Sequence, residues 1–198
     1  MSSLTRAYFE DLYAKSGDPW RFASSAYERA KYAASLAALP DARYARALEI
    51  GCSIGVFTAA LAERCDALLA VDVSSQALAR ARNRCGRLPN VDFAQVPVPH
   101  AFPTGTFDLV TLCEVGYYWD DVDAAAAKDR IADALAPGGT LLLTHLSEKV
   151  PDYCRSGDDV HEAYRADGRF APVFAERAPR YRIDVLRRRV RSAPGDRP

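Results

Sequence analysis

Paired cysteines are what this sequence most plainly lacks. Cys52, Cys65, Cys85, Cys113 and Cys154 are scattered along the chain, and none stands in a C-x-x-C or Cys/His spacing. A tetrahedral metal site needs its ligands clustered, so no metal is expected. An odd, dispersed set reads as reduced thiols and points to a cytoplasmic protein. Net charge is absent too: 26 basic residues balance 26 acidic ones, which removes the long-range attraction expected of a nucleic-acid or anionic-membrane binder. No apolar run approaches the roughly 20 residues of a membrane span. The amino terminus carries Glu10, Asp11 and Asp18 where a secretory signal would be apolar.

What remains is 198 residues, 49% hydrophobic and 26% charged, enough for one domain with a substantial core. From residue 43 onward short apolar runs alternate with helical patterns. The spacing predicts strands at 45–50, 67–73, 91–96, 107–115 and 139–146, with helices at 56–65, 74–84 and 121–135. Such alternation implies an α/β fold, a mostly parallel sheet with helices on both faces. Pro97, Pro99 and Pro103 exclude a long helix between the third and fourth strands. A late helix near 158–167 and two alternating segments, APVFAERA and RYRIDVLRR, predict a closing antiparallel hairpin. Its arginines (Arg180, Arg182, Arg187, Arg188, Arg189, Arg191) read as a solvated edge strand rather than an RNA surface. The tail SAPGDRP, 192–198, reads as disordered.

The chemistry is concentrated in LEIGCSIGVFTAALAERCDALLAVDVS, Leu48 to Ser74. A strand ends at Gly51, a tight turn runs to Gly55, a helix follows, and a second strand ends in Asp72. In that layout backbone N–H groups approach a ligand closely, and the acid accepts from two ribose hydroxyls. An adenosine-containing ligand is favoured. The dinucleotide fingerprint G-x-G-x-x-G is not met, because Gly51, Ser53 and Gly55 are spaced G-x-S-x-G. A serine nucleophile elbow shares that spacing but leaves Asp72 without a role. The stretch resembles the E/D-x-G-x-G-x-G motif of class I S-adenosylmethionine-dependent methyltransferases, with Ser53 at the middle glycine.

A closer resemblance covers most of the chain. GDPWRFASSAYERAKY (17–32), LEIGCSIGVFTAALAERCD (48–66), CEVGYYW (113–119) and GDDVH (157–161) are similar to the NodS-type N-methyltransferases and to the methyltransferase half of deacetylase–methyltransferase fusions. The resemblance implies a Rossmann-like seven-stranded fold, S-adenosyl-L-methionine as cofactor with S-adenosyl-L-homocysteine as product, and a small-molecule amine or amino-sugar acceptor. It also implies a division into an amino-terminal helical lid (1–40), a cofactor-binding core (43–146) and a substrate-side helix and hairpin (147–191).

On that reading Glu49, Gly51, Cys52, Ser53, Gly55, Asp72 and Val73 surround the cofactor, Gln95 and Val96 meet the adenine edge, and Cys113 lies beside the methionine portion. Trp20 and Phe22 belong to the lid, and Tyr27 and Lys31, one turn apart on a helix, hold the cofactor carboxylate. Glu114 is the first choice to handle the acceptor's proton, with His145 and His161 as alternative bases. His100 is a weaker candidate, and Tyr117 and Tyr118 line a sugar site. Two other readings are an O-methyltransferase leaning on His145 and a non-catalytic nucleotide-binding domain. No N/D-P-P-Y/W motif points to a nucleic-acid acceptor, and no set of rim carboxylates suits a magnesium-dependent catechol mechanism.

Overall fold

The computed structural model describes residues 1–190; Arg191 and the 192–198 tail lie outside them. Seven strands, β1 Tyr44–Ile50, β2 Cys65–Asp72, β3 Val91–Gln95, β4 Phe107–Cys113, β5 Leu135–Leu146, β6 Phe170–Arg177 and β7 Tyr181–Arg188, form one sheet in the order β3-β2-β1-β4-β5-β7-β6. β1 to β5 are parallel, and β7 is antiparallel to both neighbours. Strand order reverses between β1 and β4, and a crevice opens beyond the carboxyl ends of the strands at such a switch point.

Successive residues of a strand face opposite sides, and the two faces bury different sets. Leu48, Ile50, Val110, Leu112, Leu141 and Leu143 face α5 (Asp121–Ala134) and α6 (Gly157–Arg165). Ala47, Leu68, Leu109 and Leu142 face α2 (Ala26–Ala37) and α3 (Val56–Leu61). Each fully buried leucine is worth about 2 kcal/mol in area removed from water. α4 (Ser75–Cys85) closes over Ala70 on the second face through Leu78 and Ala81.

Several boundaries differ from the sequence expectation, each for a tertiary reason. α3 stops at Leu61, and a 3-10 turn at Ala62–Arg64 lets β2 start at Cys65, opposite Tyr44. The Asn90 side chain fixes this turn by donating to the Ala62 and Cys65 carbonyls at 2.9 Å each. β4 ends at Cys113 because Glu114 takes φ +57° and leaves strand geometry. β5 starts early, since Leu135 pairs with Phe107 before the chain detours to rejoin β4 at Thr140.

The arginine-bearing strand is not the edge. β7 is internal, with Ile183, Val185 and Leu186 wholly buried, while β6 is the edge and carries Pro172 at a register shift. Arg182 pairs with Asp158, Glu162 and Asp184, and Arg187 with Asp41. Among the described residues no helix is long and apolar enough to cross a membrane.

The amino-terminal segment contains a helix that no sequence periodicity announced, α1 Arg6–Lys15, started by the Thr5 side chain accepting from the Tyr8 N–H. α1 lies against α4, and its Glu10 accepts from Ser74 Oγ, the Ser75 N–H and Ser75 Oγ at 2.8 to 2.9 Å. An acid from one helix thereby caps the start of another.

Candidate active site

Beyond Ile50 the chain makes the tight turn that the motif requires. Gly51 has φ +81°, and a Cβ there would lie 2.2 Å from Val115 Cγ2, so only glycine fits. Gly55, at φ +78°, lets the loop lie against α4, where a Cβ would stand 3.0 Å from the Ala81 backbone. Ser53, at the middle position, has φ +51°, a conformation that costs a non-glycine residue about 1 kcal/mol or more. Its hydroxyl is held at 2.5 Å by the Tyr13 hydroxyl of α1. Asp72 ties the loop to β2: one carboxylate oxygen accepts from the Ser53 N–H at 2.8 Å, the other from the Ser74 N–H at 2.9 Å. Burial outweighs those bonds and pushes its carboxyl up to about 6.

This turn opens onto a cavity of about 320 Å³. Of the residues expected at the cofactor, Glu49, Gly51, Cys52, Ser53, Asp72 and Val73 line it from β1 and β2. Trp20, Val96 and Cys113 line it from the other sides, as does the exposed His100, 3.4 Å from Asp123. Gly55 sits behind the wall as a packing residue, and Gln95 turns its amide to the Val73 carbonyl at 2.8 Å. Glu49 is buried, one of its oxygens has no hydrogen-bond partner, and burial pushes its carboxyl up to about 8. Burial likewise raises the Cys113 thiol to about 12, which leaves it unreactive.

A second cavity, about 280 Å³, adjoins the first and shares Trp20, Phe22, Glu114 and Tyr118 with it. Trp20 stacks on Phe22 at 5.5 Å, and the row continues through Tyr32 to Phe57. The aromatics concentrated near the amino terminus therefore form the partition between two cavities. Asp18 shapes their loop by accepting from the Phe22 and Ala23 N–H groups at 2.8 and 2.9 Å.

Glu114 sits on this partition. Its carboxylate accepts from the Lys31 ammonium, the Tyr117 hydroxyl and the Leu146 N–H, the last at 3.0 Å. Lys31 is only 2% exposed and also pairs with Glu28 at 2.9 Å. Burial alone would lower its pKa, but the two carboxylates outweigh burial and raise it. The lysine expected to hold a cofactor carboxylate is thus bound to two carboxylates of the protein and lines the second cavity instead of the first. Tyr27 is there as well, with Lys31 and Arg180 over its ring at 5.3 and 4.6 Å and a buried hydroxyl that has no partner. Tyr117, Tyr118 and Tyr153, which also line this cavity, pack together at 4.7 to 4.8 Å.

Sequence reasoning missed Glu28, Tyr153 and Arg180. Glu28 was detectable, three residues before Lys31 on the same helical face; Tyr153 and Arg180 arrive from loops with no local signal. The two histidines expected as bases line neither cavity. Both are wholly buried between β5 and α6, with His145 Nδ1 3.1 Å from His161 Nε2, and His161 Nδ1 2.7 Å from Asp184. Burial pushes both imidazole pKa values down. Among the described residues no group of three His, Cys, Asp or Glu side chains is placed to hold a metal ion.

Residues 7–163, which include both walls of the partition, match the nodulation protein S (NodS) family. The chain belongs to that family. It is 37% identical over 135 residues to nodulation protein S of Bradyrhizobium diazoefficiens, covering 67% of this chain and 65% of that protein. It is 35% identical over 127 residues to its counterpart from Rhizobium tropici, covering 63% and 53%. The matches thus span between half and two thirds of these curated NodS proteins. Among solved structures, the N-methyltransferase NodS of Bradyrhizobium japonicum WM9 in complex with S-adenosyl-L-homocysteine superposes with a TM-score of 0.82 at 25% identity, over 92% of this chain and 97% of that one. The fold is that of the class I methyltransferases. Arg180 lies outside the segment that matches the NodS family.

Proposed function

We propose that this NodS-family chain is an S-adenosylmethionine-dependent N-methyltransferase acting on the amine of a small molecule, with an amino sugar as the favoured acceptor. The observation that carries the proposal is the pair of cavities meeting at Glu114. One has the features that an adenosine and an amino acid need; the other is lined by aromatic rings, by the Glu28 and Glu114 carboxylates and by Lys31 and Arg180.

The residues of the first cavity fit the cofactor. Each Asp72 oxygen uses one lone pair on a backbone N–H and keeps another for a ribose hydroxyl. Val96 and Val98 offer apolar surface for a base, and the unpartnered Glu49 oxygen suits an ammonium. S-adenosylmethionine, when bound, supplies a methyl group on a positively charged sulfur that a nitrogen lone pair can displace.

The protein's part in the transfer is to orient that lone pair, exclude water and take up a proton. Glu28 and Glu114 already converge on one ammonium, that of Lys31, so the second cavity is built around a positively charged nitrogen. An ammonium acceptor is attracted to the same carboxylates, and these can relay its proton away. An alcohol needs a free base, and His145 and His161 are both buried and engaged, which favours the amine reading over the O-methyltransferase. The tyrosine faces suit the apolar face of a sugar ring. Trp20 and Phe22 serve as a lid, residues 43–146 carry the cofactor, and 147–190 complete the acceptor side. Five free thiols are in keeping with a cytoplasmic setting. The pairing of Arg177, Arg182 and Arg187 with acids is in keeping with a small-molecule partner rather than nucleic acid.

The test compares a chitooligosaccharide bearing one free amine with its fully N-acetylated form, read by mass spectrometry of the product and release of S-adenosylhomocysteine. Only the free amine should gain 1 methyl group or more, because acetylation removes the lone pair. Equal methylation of the two forms overturns the amine reading.

A further inference from the structure

A buried polar cluster that the proposed transfer does not use runs from Gly116 to β7. Gly116 opens a single 3-10 turn, Gly116–Tyr118, which follows Glu114 and has no side-chain cap. Its N–H would be an orphan donor in a buried place. His145 Nε2 accepts it across the sheet at 3.2 Å. That bond fixes every proton in the chain of contacts. Because Nε2 of His145 accepts, its proton is on Nδ1 and is donated to His161 Nε2, 3.1 Å away. His161 therefore also carries its proton on Nδ1, donated to the Asp184 carboxylate at 2.7 Å. Arg165 and Arg182 balance that carboxylate at 3.2 and 2.9 Å. Two neutral imidazoles thus carry one direction of hydrogen bonding from a turn at the active site to a buried ion cluster.

The surroundings are cut to admit this arrangement. A Cβ on Gly116 would lie 2.6 Å from Val160 and 3.2 Å from His145 Nε2, and one on Gly157 would lie 2.1 Å from the Leu146 carbonyl and 2.9 Å from His145 Cβ. The stretches CEVGYYW and GDDVH, distant in sequence, meet here. The turn that His145 holds sets Tyr117, whose hydroxyl donates to Glu114 and whose ring stands edge-on to His145 at 5.4 Å and stacked on Tyr153 at 4.7 Å.

We propose that His145, backed by His161 and Asp184, is a positioning residue for the acceptor site: it fixes the Gly116–Tyr118 turn and through it Tyr117 and the Glu114 carboxylate. This rests on the methyltransferase reading, with the cavity beside Glu114 as the acceptor's. His145→Leu removes the acceptor atom for the Gly116 N–H. His145→Gln places an amide oxygen near the Nε2 position and can accept the same bond. With an amine acceptor in steady-state assays, His145→Leu should lower kcat/KM by about 10- to 100-fold, the cost of a misplaced reacting group. His145→Gln should recover most of the loss. S-adenosylhomocysteine affinity by calorimetry should fall far less than kcat/KM in His145→Leu and stay near the wild-type value in His145→Gln, because His145 does not line the first cavity and, of the groups it is proposed to fix, Tyr117 faces only the second while Glu114 and Tyr118 face both. Equal defects in the two variants, or a loss of cofactor affinity to match, overturn the proposal in favour of general structural damage. A second measurement needs no variant and no turnover: long-range proton–nitrogen NMR of the wild-type chain should find both buried imidazoles neutral with the proton on Nδ1. A proton on His145 Nε2 overturns the proposal even if the enzyme is active. Correct tautomers in a protein that methylates no amine overturn the functional reading instead.

Discussion

Asp72 ties down the loop by accepting from the Ser53 and Ser74 N–H groups, and on the proposed function it also accepts from the ribose hydroxyls of the cofactor. Burial lifts its carboxyl from an ordinary 3.8 to about 6, so above that pH the folded protein holds a charge that the unfolded chain would carry more cheaply. The sign follows: Asp72 lowers folding stability as pH rises from about 4 to 6, while ligand binding gains over the same interval, because only the ionised form accepts from both hydroxyls. Affinity for S-adenosylhomocysteine should therefore fall about tenfold between pH 7.5 and pH 5, by calorimetry, and Asp72→Ala should bind weakly with a flatter profile. An unchanged affinity at pH 5 would place the ribose elsewhere. The turn from Gly51 to Gly55 and the place of Asp72 at the end of β2 were legible in the sequence because they are local, fixed by a turn and the strand ends on either side, although Gly55 packs against α4 instead of lining the cavity. Lys31 and the two histidines were not. Each was assigned from its own chemistry, whereas its partner is set by another element: Glu114 for Lys31, and Gly116 and Asp184 for the histidines.

At the level of elements, α1 shows what periodicity cannot reveal. Its attachment is mixed, polar through Glu10 to the start of α4 and Tyr13 to Ser53, apolar through the Tyr13 ring against Ile54 and Ala77 and Phe9 against Tyr118, and so few apolar contacts leave no stripe in the sequence. Burial pushes the Glu10 carboxyl up, but the hydrogen bonds from Ser75, Ser74 and Gln76 outweigh it and hold it down at about 2. A depressed acid stabilises above its unfolded pKa, here the ordinary 4.5, and loses that contribution as pH falls toward 2. Glu10→Gln should cost about 1 kcal/mol at pH 7, the usual worth of a helix cap, and wild type and variant should converge in melting temperature near pH 2. A difference that persists undiminished in acid would mean that packing, not the charge, joins the two helices. The central strands and the closing hairpin were legible because alternation and turn residues announce them. The ends of α3, β4 and β5 were not, since Asn90, the Glu114 backbone and the Phe107–Leu135 pairing decide them from a distance.

Across the whole molecule, the segment from Lys15 to Tyr32 lines both cavities, with Trp20 and Phe22 in both, Tyr32 in the first and Tyr27, Glu28 and Lys31 in the second, and is held by its aromatic rings and by the Lys31–Glu114 pair. If it opens to admit ligands, its amides should exchange rapidly in the free protein and be protected by S-adenosylhomocysteine, while the central strands are unaffected. Hydrogen exchange with and without the ligand decides this, and equal protection in both states would make the segment a fixed wall. The partition itself bears on how acceptor choice could change. Trp20, Phe22, Glu114 and Tyr118 face both cavities, so a substitution there alters two binding sites together. Tyr27, Tyr153 and Arg180 face only the second. On the proposed function, variation in what is methylated can accumulate at those three positions without disturbing what supplies the methyl group, and a designer seeking a new acceptor should leave the partition alone and begin with them.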